Sequence, residues 1–325
     1  MFLPTVRALQ RAYPKARMTW IISSPAYDLV KHIADIEFIV IKKPESLRDY
    51  WSLRQKFKKH NFDVLLAAQA SFRAHTIIPL IKAKRKIGYD SIRGKEGHRF
   101  VVQEHIPFKT VHTLEGFMQF AEKVGVSDLS VQWNLPLDPD AKKWVETHQM
   151  QWGIQGPMVV VNPAASKSER SWNAKRYAEV IQFLQKRYHA NVILCGGPSA
   201  HDKDLAIEIQ KEVQVIDMVG QTRLPQLLAL IAAADLVICP DTGPSHMAAA
   251  VGTPVIAIHG VTKPEISGPY GQFNHVVNAY PQAHALYAKP IRKHKPQDWF
   301  NKVHHPEVMN LIQSEDVIEK IRVIL

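Results

Sequence analysis

The feature that most restricts this chain is a repeated alternation of two patterns. Short continuous apolar runs are followed by stretches whose apolar residues recur at helical spacing. MTWIIS (18–23), IEFIVI (36–41) and DVLLAA (63–68) read as buried strands, and LRDYWSLRQKFKKH (47–60) and HTLEGFMQFAEKVGV (112–126) as helices. Continuous apolar runs suit strands covered on both faces, and strands separated by helices join as βαβ units. The pattern therefore predicts an α/β fold built on parallel sheets.

The alternation breaks once and then restarts. LPLDPDAKKWVETHQMQWGIQGP (135–157) carries three prolines and many polar residues and reads as a linker. Beyond it, PMVVVNP (157–163), NVILCGG (191–197), DLVICP (235–240) and TPVIAIHG (253–260) read as strands. NAKRYAEVIQFLQKRYH (173–189), LPQLLALIAAA (224–234) and GPSHMAAAVG (243–252) read as helices, and SEDVIEKIRVIL (314–325) as a last helix capped by Ser314. At roughly 100–200 residues per domain, 325 residues make two doubly wound domains. They are expected at 1–150 and 151–325. In such sheets ligands bind beyond the carboxyl ends of the strands, at helix N-termini.

One strand end is unusually rich in chemistry. In CPDTGPSHMAAAVGTPVIAIHG (239–260), Asp241, Thr242, Gly243, Ser245 and His246 cluster where a strand hands over to a helix. Gly243 allows close backbone approach. The helix start offers free N–H groups and partial positive charge, Thr242 and Ser245 add hydroxyl donors, and His246 lies one turn in. Together they suit a diphosphate, while Asp241 suits a sugar hydroxyl. The plain alternative is a capped helix with a packed histidine. A second strand-end loop, NPAASKSERSW (162–172), carries Lys167 and Arg170, the latter a candidate charge for the same diphosphate. GGPSAHDKD (196–204) is a third and weaker candidate loop. Neither the GxGxxG dinucleotide fingerprint nor the GxxxxGK[ST] phosphate loop occurs, which disfavours nicotinamide enzymes and P-loop kinases.

The formal charge of +11 suggests an acidic partner: nucleic acid, anionic lipid or a phosphorylated substrate. Basic clusters at 81–99 and 289–294 lack the aromatic interleaving of a nucleic-acid groove, so no nucleic acid is expected. Cys195 and Cys239 end apolar runs and have no partner at metal-ligand spacing. That usage fits a reducing cytosol. No apolar run reaches the length of a membrane span. Asp138 and Asp140 read as a turn around Pro139, and the late histidines (His275, His284, His294, His304, His305) are too irregularly spaced for a metal site. No metal and no cofactor are expected.

On these residues the chain resembles the glycosyltransferase family 9 heptosyltransferases of lipopolysaccharide inner-core synthesis. The resemblance rests on DTGPSHMAAAVGTPVIAIHG (241–260) and VTKPEISGPYGQFNHVV (261–277), a pattern D-[ST]-G-x-x-H-x-A-x-A, then G-T-P, then G-P-x-G. NPAASKSERSW with Trp172, LAAQASFRAH (66–75) and RKIGYD (85–90) add to it, so it spans nearly the whole chain. It implies a GT-B architecture of two Rossmann-like domains. It implies an ADP-heptose donor in the C-terminal domain, held by Asp241, Thr242, Gly243 and His246, with Ser166 and Arg170 lining the same site. Related enzymes usually have lysine where this chain has Arg170. An acidic Kdo–lipid A acceptor is implied on the N-terminal side, with Arg73, Arg85 and Lys86 as candidate contacts; a plain surface role for these three stays open.

The family opens with an apolar strand and a loop ending in Gly-Asp, the expected general base. Here Met1 leads at once into FLPTVRALQRAYP, which resembles the helix after that loop. The first strand is expected to be missing, leaving unpaired sheet edges, and Asp63 and Asp90 carry no mark of a substitute base. The resemblance thus implies an inverting, metal-independent heptosyltransferase, cytoplasmic and peripheral to the inner membrane, impaired in this chain. Two alternatives stay open: a glycosyltransferase with another nucleotide-sugar donor, and a non-catalytic nucleotide-sugar-binding protein.

Overall fold

A computed structural model describes residues 1–94, 97–288 and 301–325. The basic cluster 289–294, His294, and two residues of the 81–99 cluster lie outside the described residues. The chain divides into two compact units: Met1–Trp133, and the described residues from Asn134 onward.

The first unit runs α1 (Leu3–Ala12), β1 (Met18–Ser23), α2 (Ser24–Val30), β2 (Ile36–Ile41), α3 (Leu47–Phe57), β3 (Phe62–Leu66), α4 (Phe72–Ile77), β4 (Ala83–Gly88), β5 (Glu104–His105) and α5 (Thr113–Lys123). Its strands are parallel but form two sheets among the described residues, β1–β2 and β3–β4–β5. β1 pairs with β2 alone and β3 with β4 alone, so each keeps an edge without a strand against it. Side chains still join the two sheets: Ile39 and Leu53 pack in one cluster with Ile21, Phe62 and Leu65. Burial along β1 to β3 is only partial. Helix α3 starts where the sequence places it because Ser46 accepts from the Asp49 N–H while the Asp49 carboxylate accepts from the Ser46 N–H.

The second unit runs α6 (Pro139–Trp152), β6 (Met158–Val161), α7 (Ala174–Tyr188), β7 (Asn191–Leu194), α8 (Ala200–Gln210), β8 (Ile216–Asp217), α9 (Leu224–Ala233), β9 (Leu236–Pro240), α10 (Gly243–Val251), β10 (Val255–His259), α11 (Pro264–Ser267), β11 (Val277–Asn278), α12 (Tyr280–Tyr287) and α13 (Ser314–Ile324). Its parallel sheet has the order β11-β10-β9-β6-β7-β8. Strands β6, β9 and β10 are buried at every position. Alternate residues face opposite cores. Val159, Val161, Leu236 and Ile238 join Trp172, Ile181, Leu184 and Ile321 on one side. Met158, Val160, Val237 and Cys239 join Val145, Leu227 and Leu230 on the other. Each such fully buried aliphatic contributes about 1.5–3 kcal/mol relative to exposure.

Three local expectations change. Most of the stretch expected as linker is helix α6. Pro136 precedes it and Pro139 takes its first position, where a missing N–H costs nothing, and Asp138 caps it by accepting from the Asp140 and Ala141 N–H groups at 3.0 and 3.3 Å. Gly153 ends it in the left-handed region at φ 63°. Within GGPSAHDKD a helix begins at Ala200, capped by Ser199. Helix α13 is capped by Gln313 rather than Ser314, whose hydroxyl bonds Glu179 instead.

Candidate functional site

Strand order reverses at β6. The chain leaves β6 for β7 on one side and later returns to β9 on the other. A crevice opens beyond the carboxyl ends of strands at such a reversal. The loop after β6 is NPAASKSERSW, and the loop after β9 starts at Asp241. The two strand-end loops flagged by the sequence thus flank one crevice within the second unit.

Arg170 bridges them. Its Nη2 donates to the Ser166 hydroxyl at 2.7 Å, and its Nη1 donates to the Asp241 carbonyl oxygen at 3.2 Å. The same Nη1 lies 3.7 Å from the Asp241 carboxylate. Its Nε is buried and has no hydrogen-bond partner among the described residues. Asp241 is itself buried, and its Oδ2 accepts from the Thr262 hydroxyl at 2.7 Å and the Ser267 hydroxyl at 3.4 Å. Beneath them lies His259, 1% exposed, with Nδ1 3.3 Å from the Thr262 carbonyl oxygen and Nε2 unpartnered. Burial holds His259 below its ordinary pKa, against the pull of Asp241.

The start of α10 is left open. Thr242 turns its hydroxyl back to the Pro240 carbonyl at 3.2 Å and does not cap the helix. Ser245 is fully buried and donates to the Thr242 carbonyl at 2.7 Å. Both hydroxyls expected to face a ligand therefore hold the turn. Pro244 has no N–H and the Ser245 N–H donates to the Thr242 carbonyl at 3.2 Å, which leaves the Gly243 N–H as the backbone donor at the helix start among the described residues. Gly243 has an ordinary φ, and a Cβ there would meet nothing within 4 Å. Its value is the open space it leaves above the helix end. His246 is half-buried in the first turn. The crevice thus joins a guanidinium, the Gly243 N–H at an uncapped helix start and a held carboxylate.

A cavity of about 490 Å³ adjoins it, lined by Ser166, Lys167, Ser168, Glu169 and His304. His304 Nδ1 lies 2.8 Å from Glu169. Trp172 is core: it is buried, packs on Tyr177 and donates to the Ile312 carbonyl at 3.1 Å. Burial pushes the Cys195 and Cys239 thiols up to about 12, which makes them inert. Among the other late histidines, His305 stacks on Tyr287 and His284 lies against Tyr280.

In the first unit the candidate basic residues part company. Arg85 donates twice to Glu104, at 2.6 and 2.9 Å, and Lys86 donates to the Ile78 carbonyl at 3.2 Å. Arg73 is exposed. Neither carboxylate weighed as a base is unpaired: Asp63 lies 2.8 Å from Lys84, and Asp90 lies 2.5 Å from buried Arg93. In RKIGYD, Gly88 has a structural task. A Cβ there would lie 2.2 Å from His98 Nε2, which accepts from the Tyr89 N–H at 2.9 Å.

Sequence reasoning missed Thr262, Ser267 and His259. The signal was present in HGVTKPEIS (259–267), a strand-end stretch with two hydroxyls and a histidine. Only the pairing of β10 with β9 brings it beside Asp241.

The profile of glycosyltransferase family 9 (heptosyltransferase) matches residues 50–294. The lipopolysaccharide core heptosyltransferase OpsX of Haemophilus influenzae is 33% identical, over 98% of this chain and 91% of its own. Lipopolysaccharide heptosyltransferase 3 of Escherichia coli is 26% identical, over 80% of this chain and 78% of its own. Among solved structures, the family 9 glycosyl transferase of Veillonella parvula superposes with TM-score 0.80 at 18% identity, over 99% of this chain and 92% of that one. E. coli heptosyltransferase WaaC with ADP superposes with TM-score 0.72 at 19% identity, over 100% and 95%. At these identities the two structures establish the fold, which is GT-B. With a family profile over most of its length and a relative this similar end to end, the chain belongs to glycosyltransferase family 9, the heptosyltransferases.

Proposed function

We propose that this glycosyltransferase moves heptose from ADP-heptose to the Kdo/heptose inner core of lipopolysaccharide, with inversion and without a metal ion. The observation that carries the reading is the crevice at the β6/β9 reversal, where Arg170 and the uncapped start of α10 converge on Asp241. In the reaction, an acceptor hydroxyl oxygen bonds to the anomeric carbon as the bond from that carbon to the diphosphate oxygen breaks. ADP leaves with the bonding electron pair, and the hydroxyl proton passes to a base. The diphosphate gains charge in that step. Arg170, His246 and the Gly243 N–H at the start of α10 are the donors proposed to meet it. Asp241, held by Thr262, accepts a donor-sugar hydroxyl.

The relatives support the sugar and the pathway: they are lipopolysaccharide heptosyltransferases by name, and one solved relative was crystallised with ADP. The acidic acceptor meets the first unit, where Arg73 is exposed; Arg85 is paired with Glu104 and is not offered to it. The enzyme works in the cytoplasm against the inner membrane. No helix among the described residues is long and apolar enough to cross it.

Calorimetric titration with ADP and UDP tests the reading. ADP should bind, UDP should bind more weakly, and Arg170→Ala should lose most of the ADP affinity. Equal affinity for both nucleotides points to another donor. No affinity for either removes the proposal.

A further inference from the structure

We propose that the outward face of α3 is a docking surface for an anionic lipid bilayer. The proposal locates the membrane contact that the function above implies, but its grounds are separate from the donor site. They are charge distribution and exposed apolar side chains in the first unit.

The excess positive charge is confined to one unit. Residues 1–133 hold 22 lysines and arginines against 12 acidic residues, a net +10 of the chain's +11. The remaining 192 residues hold 19 against 18. Within the first unit the charge peaks around α3: Lys42, Lys43, Arg48, Arg54, Lys56, Lys58 and Lys59 face only Glu45 and Asp49. Asp49 is already occupied by the Ser46 N–H and hydroxyl, and Glu45 lies 3.8 Å from Lys43. Six of these seven basic residues have no carboxylate within hydrogen-bonding reach among the described residues.

The same helix exposes apolar bulk where a soluble surface has no use for it. Leu53 and Phe57 face the core. About 120° around the helix from them, Leu47 is 89% exposed and Trp51 64%. They are one turn apart, with Arg54 and Lys58 continuing the stripe and Arg48 beside it. Single exposed apolar residues are ordinary, but this pair extends onto a neighbouring element. The hydroxyls of Tyr50 and Thr76 lie 2.8 Å apart and tie α3 to α4. One turn before Thr76, α4 exposes Phe72 at 63%, next to exposed Arg73.

A tryptophan and two large apolar side chains inside a field of lysine and arginine match a bilayer interface. The rings and Leu47 enter the headgroup boundary while the cations stay with lipid phosphates. A nucleic-acid groove would use planar rings for stacking and has no use for Leu47.

Vesicle flotation of the full chain tests this. The protein should float with phosphatidylcholine vesicles that contain phosphatidylglycerol. It should not float with phosphatidylcholine alone, and added salt should release it. The double variant Leu47→Ser with Trp51→Ser should bind at least about tenfold more weakly, with ADP affinity unchanged. Met150→Ser with Ile207→Ser, equally exposed positions of the second unit, should bind vesicles as the parent does. The proposal is overturned if the parent ignores phosphatidylglycerol or if the α3 double variant floats undiminished. It is also overturned if both double variants lose binding alike, or if an oligonucleotide binds the parent and the α3 variant equally while vesicles do not. Loss of vesicle binding with ADP binding retained leaves the donor reading standing; loss of ADP binding alone leaves this one standing.

Discussion

Arg170 is the residue on which the crevice turns. It joins residues 71 positions apart in sequence, and its Nε is buried with no acceptor among the described residues. A buried donor left unmade costs about 1–3 kcal/mol, so a ligand oxygen that satisfies it gains that amount on binding. Arg170→Ala should therefore weaken ADP binding by about ten- to a hundredfold, and Arg170→Lys should recover only part, since an ammonium cannot bridge Ser166 and Asp241 with a planar fork. Calorimetric titration measures both. Thr262 makes the second residue-scale prediction. Its hydroxyl donates to a buried carboxylate at 2.7 Å. Thr262→Val should lower the urea unfolding midpoint by the equivalent of about 1.5–3 kcal/mol, the worth of a hydrogen bond to a charged group, and Thr262→Ser should restore most of it. Asp241 and Arg170 were legible in the sequence because their residue types at strand ends announce ligand chemistry. Thr262 was not, because its role comes from a neighbour 21 positions away.

At the scale of elements, the segment from β4 to α5 shows how a motif that resembles a binding segment is used for structure. His98 Nδ1 lies 2.9 Å from His75 Nε2 on α4, and its Nε2 accepts from Tyr89 N–H. Arg93, 4% exposed, links Asp90, Gln119 on α5 and the Pro107 carbonyl. Burial, reinforced by His75 and His105 and opposed by Asp90, lowers the His98 pKa from 6.5 to about 4. Between those values the unfolded chain binds more protons than the folded one. Stability of the first unit is thus complete above pH 6.5 and falls as pH drops toward 4, by up to roughly 3 kcal/mol. Denaturation at pH 7 and pH 4.5 should show the fall, and His98→Gln should flatten it. Helix α6 teaches the complementary lesson. Its three prolines made 135–157 look like linker, yet Pro136 and Pro157 lie outside the helix and Pro139 takes its first position, and Ala141 and Val145 pack under α9.

For the whole molecule, the two units differ in how completely their sheets are formed. The second has an unbroken sheet whose strands β6, β9 and β10 are buried throughout, and among the described residues the first has two sheets with partly buried strands. Calorimetric scanning should resolve two transitions, the first unit melting lower. ADP at a hundred times its Kd should raise only the upper transition, by the equivalent of about 2.7 kcal/mol. A rise in the lower transition alone would place the nucleotide elsewhere. The sequence by itself determined the α/β class and most of the alternation of strands and helices, and it singled out two strand ends as candidates, because hydrophobic period and residue type act locally. Only the tertiary structure decided that Thr242 and Ser245 brace a turn, that Arg85 is neutralised by Glu104, that Thr262 orients Asp241, and that Leu47 and Trp51 face outward. Each of those depends on which surfaces pack together, and packing partners are set by strand order and burial across distances that no local pattern encodes.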